Sequence, residues 1–160
     1  MSSETVKRGK VIYSENELLV GLEMIESLKK ITDLMLYFLD REKIKFSYIL
    51  IQSDTDDFES WLRGQKRETD ILIPIKGNDP LYAIVCQETD VEGGYRFAER
   101  ITRLLSIEKQ THPISCNVMT VSSSRYTVHQ IIFRLYENYM KTNKQDPSER
   151  AGGIDFSSLS

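Results

Sequence analysis

Apolar residues along this chain recur with two different periods, and the switches between them divide it into helices and strands. Leu18, Leu22, Ile25, Ile31, Met35 and Phe38 follow at near-helical spacing, so 16–40 is predicted as one long helix with an apolar face. Ser14-Glu-Asn-Glu17 precedes that face as a capping box, whose hydroxyl and carboxylate satisfy amides at the helix start. The last turns, Leu34-Met-Leu-Tyr-Phe-Leu39, are apolar nearly all round. They predict a buried helix end, with an interface as the alternative.

Phe46–Gln52 is a near-continuous apolar run and is predicted as a strand buried on both faces. Residues 56–63 are predicted as a short helix carrying Trp61, the only tryptophan. Ile71–Ile75 and Leu81–Gln87 are expected to form two strands joined by the turn formers Gly77-Asn-Asp-Pro80. Pro74 has no amide hydrogen for a ladder bond, so its strand is expected to carry a bulge or lie at an edge. Thr89-Asp-Val-Glu92 reads as a second capping box opening a helix to about Ile107, with Phe97, Ala98, Ile101, Leu104 and Leu105 facing the core. Residues 114–121 form another predicted strand. Thr127-Val-His-Gln130 opens a last helix, with Val128, Ile131, Leu135 and Tyr139 inward. The order implies an α+β fold, helices packed on one antiparallel-rich sheet. The expected organisation is a flexible N-terminus (1–15), a single domain (16–144) and a disordered tail (145–160), the last from its polar residues, Pro147 and Gly152-Gly153.

Composition narrows the function classes. A chain of 160 residues with 40% hydrophobic content supports one domain with a proper core. A net charge of −3 argues against coating nucleic acid, although a local basic pocket remains compatible with it. No stretch has the apolar length of a membrane span, and Met1–Lys10 lacks the apolar region of a secretory signal. Cys86 and Cys116 both fall in predicted strands and read as buried, reduced thiols of a cytoplasmic protein. With only His112 and His129 to help, a zinc site is not expected, and no cofactor is implied. Asp54, Asp56 and Asp57 could hold a hard cation, but acidic residues at a helix start explain them more simply. Tyr136 and Tyr139 read as core residues rather than a stacking platform.

The candidate chemistry is cationic. Arg67-Glu-Thr-Asp70 sits at the entry of a predicted strand, where side chains three apart can converge at a bend. The following helix offers Arg96, Arg100 and Arg103 as one stripe beside its core face. If strand and helix pack in register, Arg100 approaches Arg67 and Asp70. Such a pocket suits a guanine nucleotide: a guanidinium fork matches O6 and N7, and a carboxylate accepts from N1 and N2. Guanidinium also pairs with phosphate and stacks on purines. The plainer alternative is a solvated arginine stripe with Arg67–Asp70 as a surface ion pair of little worth.

Residues 46–144 resemble a divergent GGDEF domain, the family of diguanylate cyclases and their inactive relatives. Asp54-Thr-Asp56-Asp57-Phe58 resembles the family's Asp-x-Asp-x-Phe-Lys, and Arg67-Glu-Thr-Asp70 resembles its inhibitory-site Arg-x-x-Asp. Glu88-Thr-Asp90 and Phe97-Ala-Glu-Arg100-Ile resemble the segment after the signature turn; a closing strand and helix follow in family order. The resemblance implies a nucleotidyl-cyclase-like fold and binding of cyclic di-GMP, often as two intercalated molecules, with Arg67, Asp70 and Arg100 in the inhibitory-site roles. Arg96 and Arg103 are expected to assist.

The departures imply that the domain makes no product. The signature turn reads Lys76-Gly-Asn-Asp-Pro80, without the family's glycine pair and acidic metal ligand. Pro80 removes a backbone amide, and Glu59 stands where the family has Lys. The segment between Asp54 and Arg67 is too short for the guanine-gripping helix and loop of active cyclases. Phosphoryl transfer needs metals and a positioned nucleotide, so residual cyclase activity, which would require Asp54, is not expected. The expected function is a cytoplasmic bacterial cyclic di-GMP receptor that signals to an unidentified protein partner. The alternative is a nucleotide-independent interaction scaffold, using 34–39 to dock a partner or form a homodimer. Neither nucleic-acid binding nor direct membrane insertion is expected.

Overall fold

The computed structural model describes residues 12–77, 80–143 and 154–160. The elements in chain order are α1 (Glu15–Glu42), β1 (Phe46–Gln52), α2 (Phe58–Arg63), β2 (Ile71–Ile75), β3 (Leu81–Gln87), α3 (Val91–Lys109), β4 (Ser115–Val121), α4 (Val128–Asn143) and β5 (Asp155–Leu159). The strands form one five-stranded sheet in the order β2-β3-β1-β4-β5. Every pairing is antiparallel except β4 with β5. This is the mixed α+β, antiparallel-rich architecture that the residue pattern implies.

β1 runs through the middle of the sheet, which is why its apolar run is continuous: all seven residues are buried. Successive side chains point to opposite faces. Phe46, Tyr48 and Leu50 join one core with residues of α1 and α4, whereas Ile49 and Ile51 join a second core with Phe58 and Leu62 of α2 and Ala98, Ile101 and Leu105 of α3. The helices therefore cover both faces, α1 and α4 on one and α2 and α3 on the other. Pro74 lies in β2, an edge strand, where a missing amide costs no ladder bond. Gly94 lets α3 sit close to the sheet, since a Cβ there would meet Val118 Cγ1 at 2.8 Å.

The caps follow the sequence with one change. Ser14 and Glu17 form the predicted reciprocal box on α1, and Thr127 and Gln130 form another on α4, at 3.1 and 2.8 Å. On α3 the cap is Asp90, whose side chain accepts from the Gly93 amide at 2.8 Å. Thr89, the expected cap, is instead buried, and its hydroxyl donates to Gln87 O at 2.8 Å.

Two expectations are corrected. The buried stripe of α1 is Val20, Met24, Leu28, Thr32, Met35 and Leu39. Leu18 and Leu22, assigned to the core by spacing, are 53% and 63% exposed. A polar residue belongs to the true stripe because the Thr32 hydroxyl hydrogen-bonds the buried Tyr48 hydroxyl, so its burial leaves no orphan group. The predicted disordered tail is also in part ordered. Residues 155–159 pair with 117–121 in register, the Leu159 side chain enters the core, and Ser122 donates its amide to Leu159 O at 2.9 Å. Residues 1–11 and 144–153, and Asn78 and Asp79 of the hairpin turn, lie outside the described residues. At the end of α1, Met35 and Leu39 are buried while Leu34 and Tyr37 are exposed, so that segment both packs and presents an apolar surface. Among the described residues no helix is long and apolar enough to cross a membrane.

Candidate functional site

The site grows from a turn. Residues 67–70 reverse the chain ahead of β2, and the Asp70 amide donates to Arg67 O at 3.1 Å. The Asp70 carboxylate closes the same turn from the other side by accepting from the Arg67 amide at 2.8 Å. With backbone and side chain folded together, the Arg67 guanidinium lies along the carboxylate, Nε at 3.1 Å and Nη2 at 2.8 Å from Oδ1. The Asp70 side chain is wholly buried, while that of Arg67 is 53% exposed. A two-pronged charge-assisted contact of this kind is both stronger and more directional than a point-charge pair. The hydrogen bonds that Arg67 donates to Asp70 raise the Arg67 pKa still further.

Arg67 also ties the turn to the end of β3. Its Nη2 donates to Gln87 O at 3.1 Å and to Thr89 Oγ1 at 3.0 Å, and Gln87 Nε2 returns a bond to Thr69 O at 2.8 Å. Thr89 is anchored from below, since the Ser47 hydroxyl in β1 donates to Thr89 O at 2.8 Å. Nη1 of Arg67 takes no part in these bonds. Beneath the pair, Cys86 is buried in the sheet. Burial first, and the neighbouring Asp70 carboxylate second, hold its thiol protonated, so it offers no nucleophile.

α3 supplies the opposite wall. Gly93, Arg96, Phe97 and Arg100 line one face of the helix, and with Arg67 and Asp70 they bound a hollow of 430 Å³, within the usual range of small-ligand sites. Arg100 donates through Nη2 to Gln65 O at 2.8 Å, and its guanidinium carbon lies 4.9 Å from the centre of the Phe97 ring. That pairing of cation and ring gives the hollow a flat, weakly polar wall. Arg96 pairs with Glu92 at 3.2 Å in an exposed contact, which leaves it free to swing.

Thus four of the five residues singled out in the sequence, Arg67, Asp70, Arg96 and Arg100, border one hollow. Arg103 does not: it is exposed and outside the lining. The Asp70 oxygens take the Arg67 amide and guanidinium, and its side chain is buried. Lys45, Glu88 and Asp90 also line the hollow. Lys45 and Glu88 were missed because single charges in connecting segments carry no periodic signal. Among the described residues no group of three acidic, histidine or cysteine side chains is placed to hold a metal ion. The three aspartates after β1 do not make one, and Asp57 stands at the N-cap of α2.

No family model matches the sequence, and no curated protein sequence matches it significantly. Among solved structures, the fold is similar to the crystal structure of PelD, residues 158 to the C-terminus, from Pseudomonas aeruginosa PAO1, with a TM-score of 0.53 at 9% identity. The match covers 85% of this chain and 49% of that one, so it spans about half the length of the crystallised chain it resembles. At this identity the likeness is one of fold alone.

Proposed function

We propose that this domain is a catalytically inactive, GGDEF-like receptor for cyclic di-GMP. The observation that carries the reading is convergence: guanidinium groups from a turn before β2 and from α3 border one hollow, with Arg67 and the Arg100–Phe97 pair among its lining. A ligand joining two phosphates to two purines needs fixed cations for the phosphates and flat or forked partners for the bases, and this wall offers both. Arg67, Arg96 and Arg100 contact ligand, and Asp70 holds Arg67. Binding bridges the β2–β3 hairpin and α3, and the change in that surface is what a protein partner in the cytoplasm reads. The absence of the family's glycine pair and acidic metal ligand from the turn supports a receptor rather than an enzyme. Calorimetric titration of the purified chain with cyclic di-GMP tests the proposal, with Arg67→Ala as control. Saturable heat in the parent that the variant loses supports it; no heat at high micromolar ligand refutes it.

A second reading is favoured by one observation. Leu18, Leu19, Leu22, Leu34 and Tyr37 of α1 are all at least 46% exposed, a larger apolar display than one helix of a free monomer needs. In that reading α1 is a docking or dimer surface and the arginine hollow is vestigial. Chromatographic size that shifts with Leu34→Ser and ignores nucleotide supports it.

A further inference from the structure

The outer side of α1 carries a pattern of its own. The inward stripe runs through Val20, Met24, Leu28, Thr32, Met35 and Leu39, and the wholly buried Leu28 lies at the middle of the helix. Leu19 and Tyr37 stand nine residues to either side of Leu28. Nine residues make about two and a half turns, so both point directly away from the core; they are 51% and 54% exposed. Other exposed residues pair off about the same midpoint. Leu22 and Leu34 lie six residues from Leu28, Glu26 and Lys30 two, and Glu15 and Arg41 thirteen. In these pairs apolar mirrors apolar and acid mirrors base. Glu23 and Asp33 are the exception, with Lys29 and Lys30 within one turn of Asp33. Charge is polarised along the helix in the same sense. Every charged residue of 15–28 is acidic (Glu15, Glu17, Glu23 and Glu26), whereas 29–43 holds Lys29, Lys30, Arg41 and Lys43 beside three acids.

We propose that this face docks a second copy of the chain, whose α1 lies antiparallel to the first with the two-fold axis at Leu28. A two-fold interface makes residue i of one copy meet residue j of the other, and j meet i. Antiparallel helices then set Leu19 against Tyr37 of the second copy, Leu22 against its Leu34, Glu26 against its Lys30 and Glu15 against its Arg41. A parallel pair would set Glu15, Glu23 and Glu26 each against its own copy, and such like-charge contacts are costly. The receiving end is already composed, since the Arg41 guanidinium lies 5.3 Å from the centre of the Tyr37 ring. Within its own helix Glu26 meets Lys29 at 3.5 Å in an exposed contact, which an ion pair across the interface can replace. The proposal rests on the second reading's α1 surface and names its occupant. It does not require a vestigial hollow, because α1 and α3 cover opposite faces of the sheet.

The test uses the full chain, by sedimentation across the micromolar range and by disulfide trapping. The parent is expected to sediment as a dimer, with or without cyclic di-GMP. Glu26→Lys or Lys30→Glu alone should weaken the dimer about tenfold, because each change sets like charges together twice across the axis. The double variant restores the pairing and should return to within about twofold of the parent. Trapping fixes the direction. Leu19→Cys mixed with Tyr37→Cys should cross-link on oxidation, whereas Leu19→Cys alone should not, its two thiols being about 27 Å apart. The native Cys86 and Cys116 are buried and do not compete. Cross-linking of Leu19→Cys to itself, with none in the mixture, means parallel helices; it overturns this proposal and leaves α1 an interface. A double charge variant no better than the single ones also overturns it. A parent that stays monomeric at high micromolar concentration overturns it too, and leaves the α1 surface of the second reading to a different protein.

Discussion

The Arg67 side chain and its own backbone amide both donate to the Asp70 carboxylate, each with a contact of 2.8 Å, so the motif is a folded unit before any ligand arrives. This separates it from a surface ion pair, whose partners are solvated and whose contribution is small. Replacing Asp70 with Asn removes the charge that all of these donors share. Hydrogen bonds to charged groups contribute about 1.5–3 kcal/mol each, and Arg67 regains water because it is half exposed. Asp70→Asn should therefore cost about 2 kcal/mol, read from urea denaturation midpoints. A variant as stable as the parent would mean that the pair is decorative.

Arg100 and Arg103 are three residues apart on one helix, yet only Arg100 borders the hollow. Arg100→Ala should weaken cyclic di-GMP binding by about tenfold or more, the worth of one good guanidinium contact. Arg103→Ala should leave affinity within twofold, since only a screened, long-range attraction is lost. Both positions lie on the solvent side of α3, so neither change should move the melting temperature much. Equal losses from both would place the ligand along the outer stripe and not in the hollow.

How far these features could be read from the sequence depended on whether a local rule decided them. β1 and the boxes at Ser14 and Thr127 were legible because burial on two faces and reciprocal capping leave local marks. The face of α1 was not. Leu18 and Leu22 lie on nearly the opposite side of the helix from Val20 and Met24, and both sets are apolar. Which set is covered is settled by α4, where Tyr136 lies against Gly21 and its hydroxyl donates to Glu17 O at 2.7 Å. Within the site, the Arg67–Asp70 turn and the α3 stripe had spacing to betray them. The burial of Asp70 beside Arg67 and the exclusion of Arg103 depend on how a turn and a helix meet across the sheet, which no spacing encodes.

Burial holds both thiols protonated. The Cys116 pKa is pushed up from its ordinary 9.0 to about 12, chiefly by desolvation, and Cys86 is raised for the same reason. Above pH 9 the unfolded chain releases these protons and the folded chain does not, so the folded state binds more protons and stability falls as pH rises. The loss is absent below pH 9 and, for Cys116, grows until about pH 12. Each thiol contributes a slope of about 1.4 kcal/mol per pH unit. Urea midpoints measured between pH 8 and 11 should fall, and Cys116→Ser should fall less steeply from a lower start. Within the neutral range neither thiol should react with an alkylating reagent unless the chain opens, because each is buried and uncharged.

The last strand offers the clearest contest between sequence pattern and packing. Asp155-Phe-Ser-Ser-Leu159 is polar enough to read as a tail, and four of its five residues are at least partly exposed. Its anchorage is nevertheless specific. Leu159 is 4% exposed within the core, Phe156 meets the Tyr95 ring at 5.6 Å, and the Thr142 hydroxyl donates to Asp155 at 2.6 Å. Burial of the leucine alone stabilises by about 1.5–3 kcal/mol. Ending the chain after residue 153 would also strip the partner from β4 and leave a bare edge open to association. The shortened chain should lose about 3 kcal/mol and form aggregates on concentration, followed by denaturation and light scattering. A disordered tail would be removed with neither effect, so a truncated chain as stable and monodisperse as the parent would mean that β5 does not hold in solution.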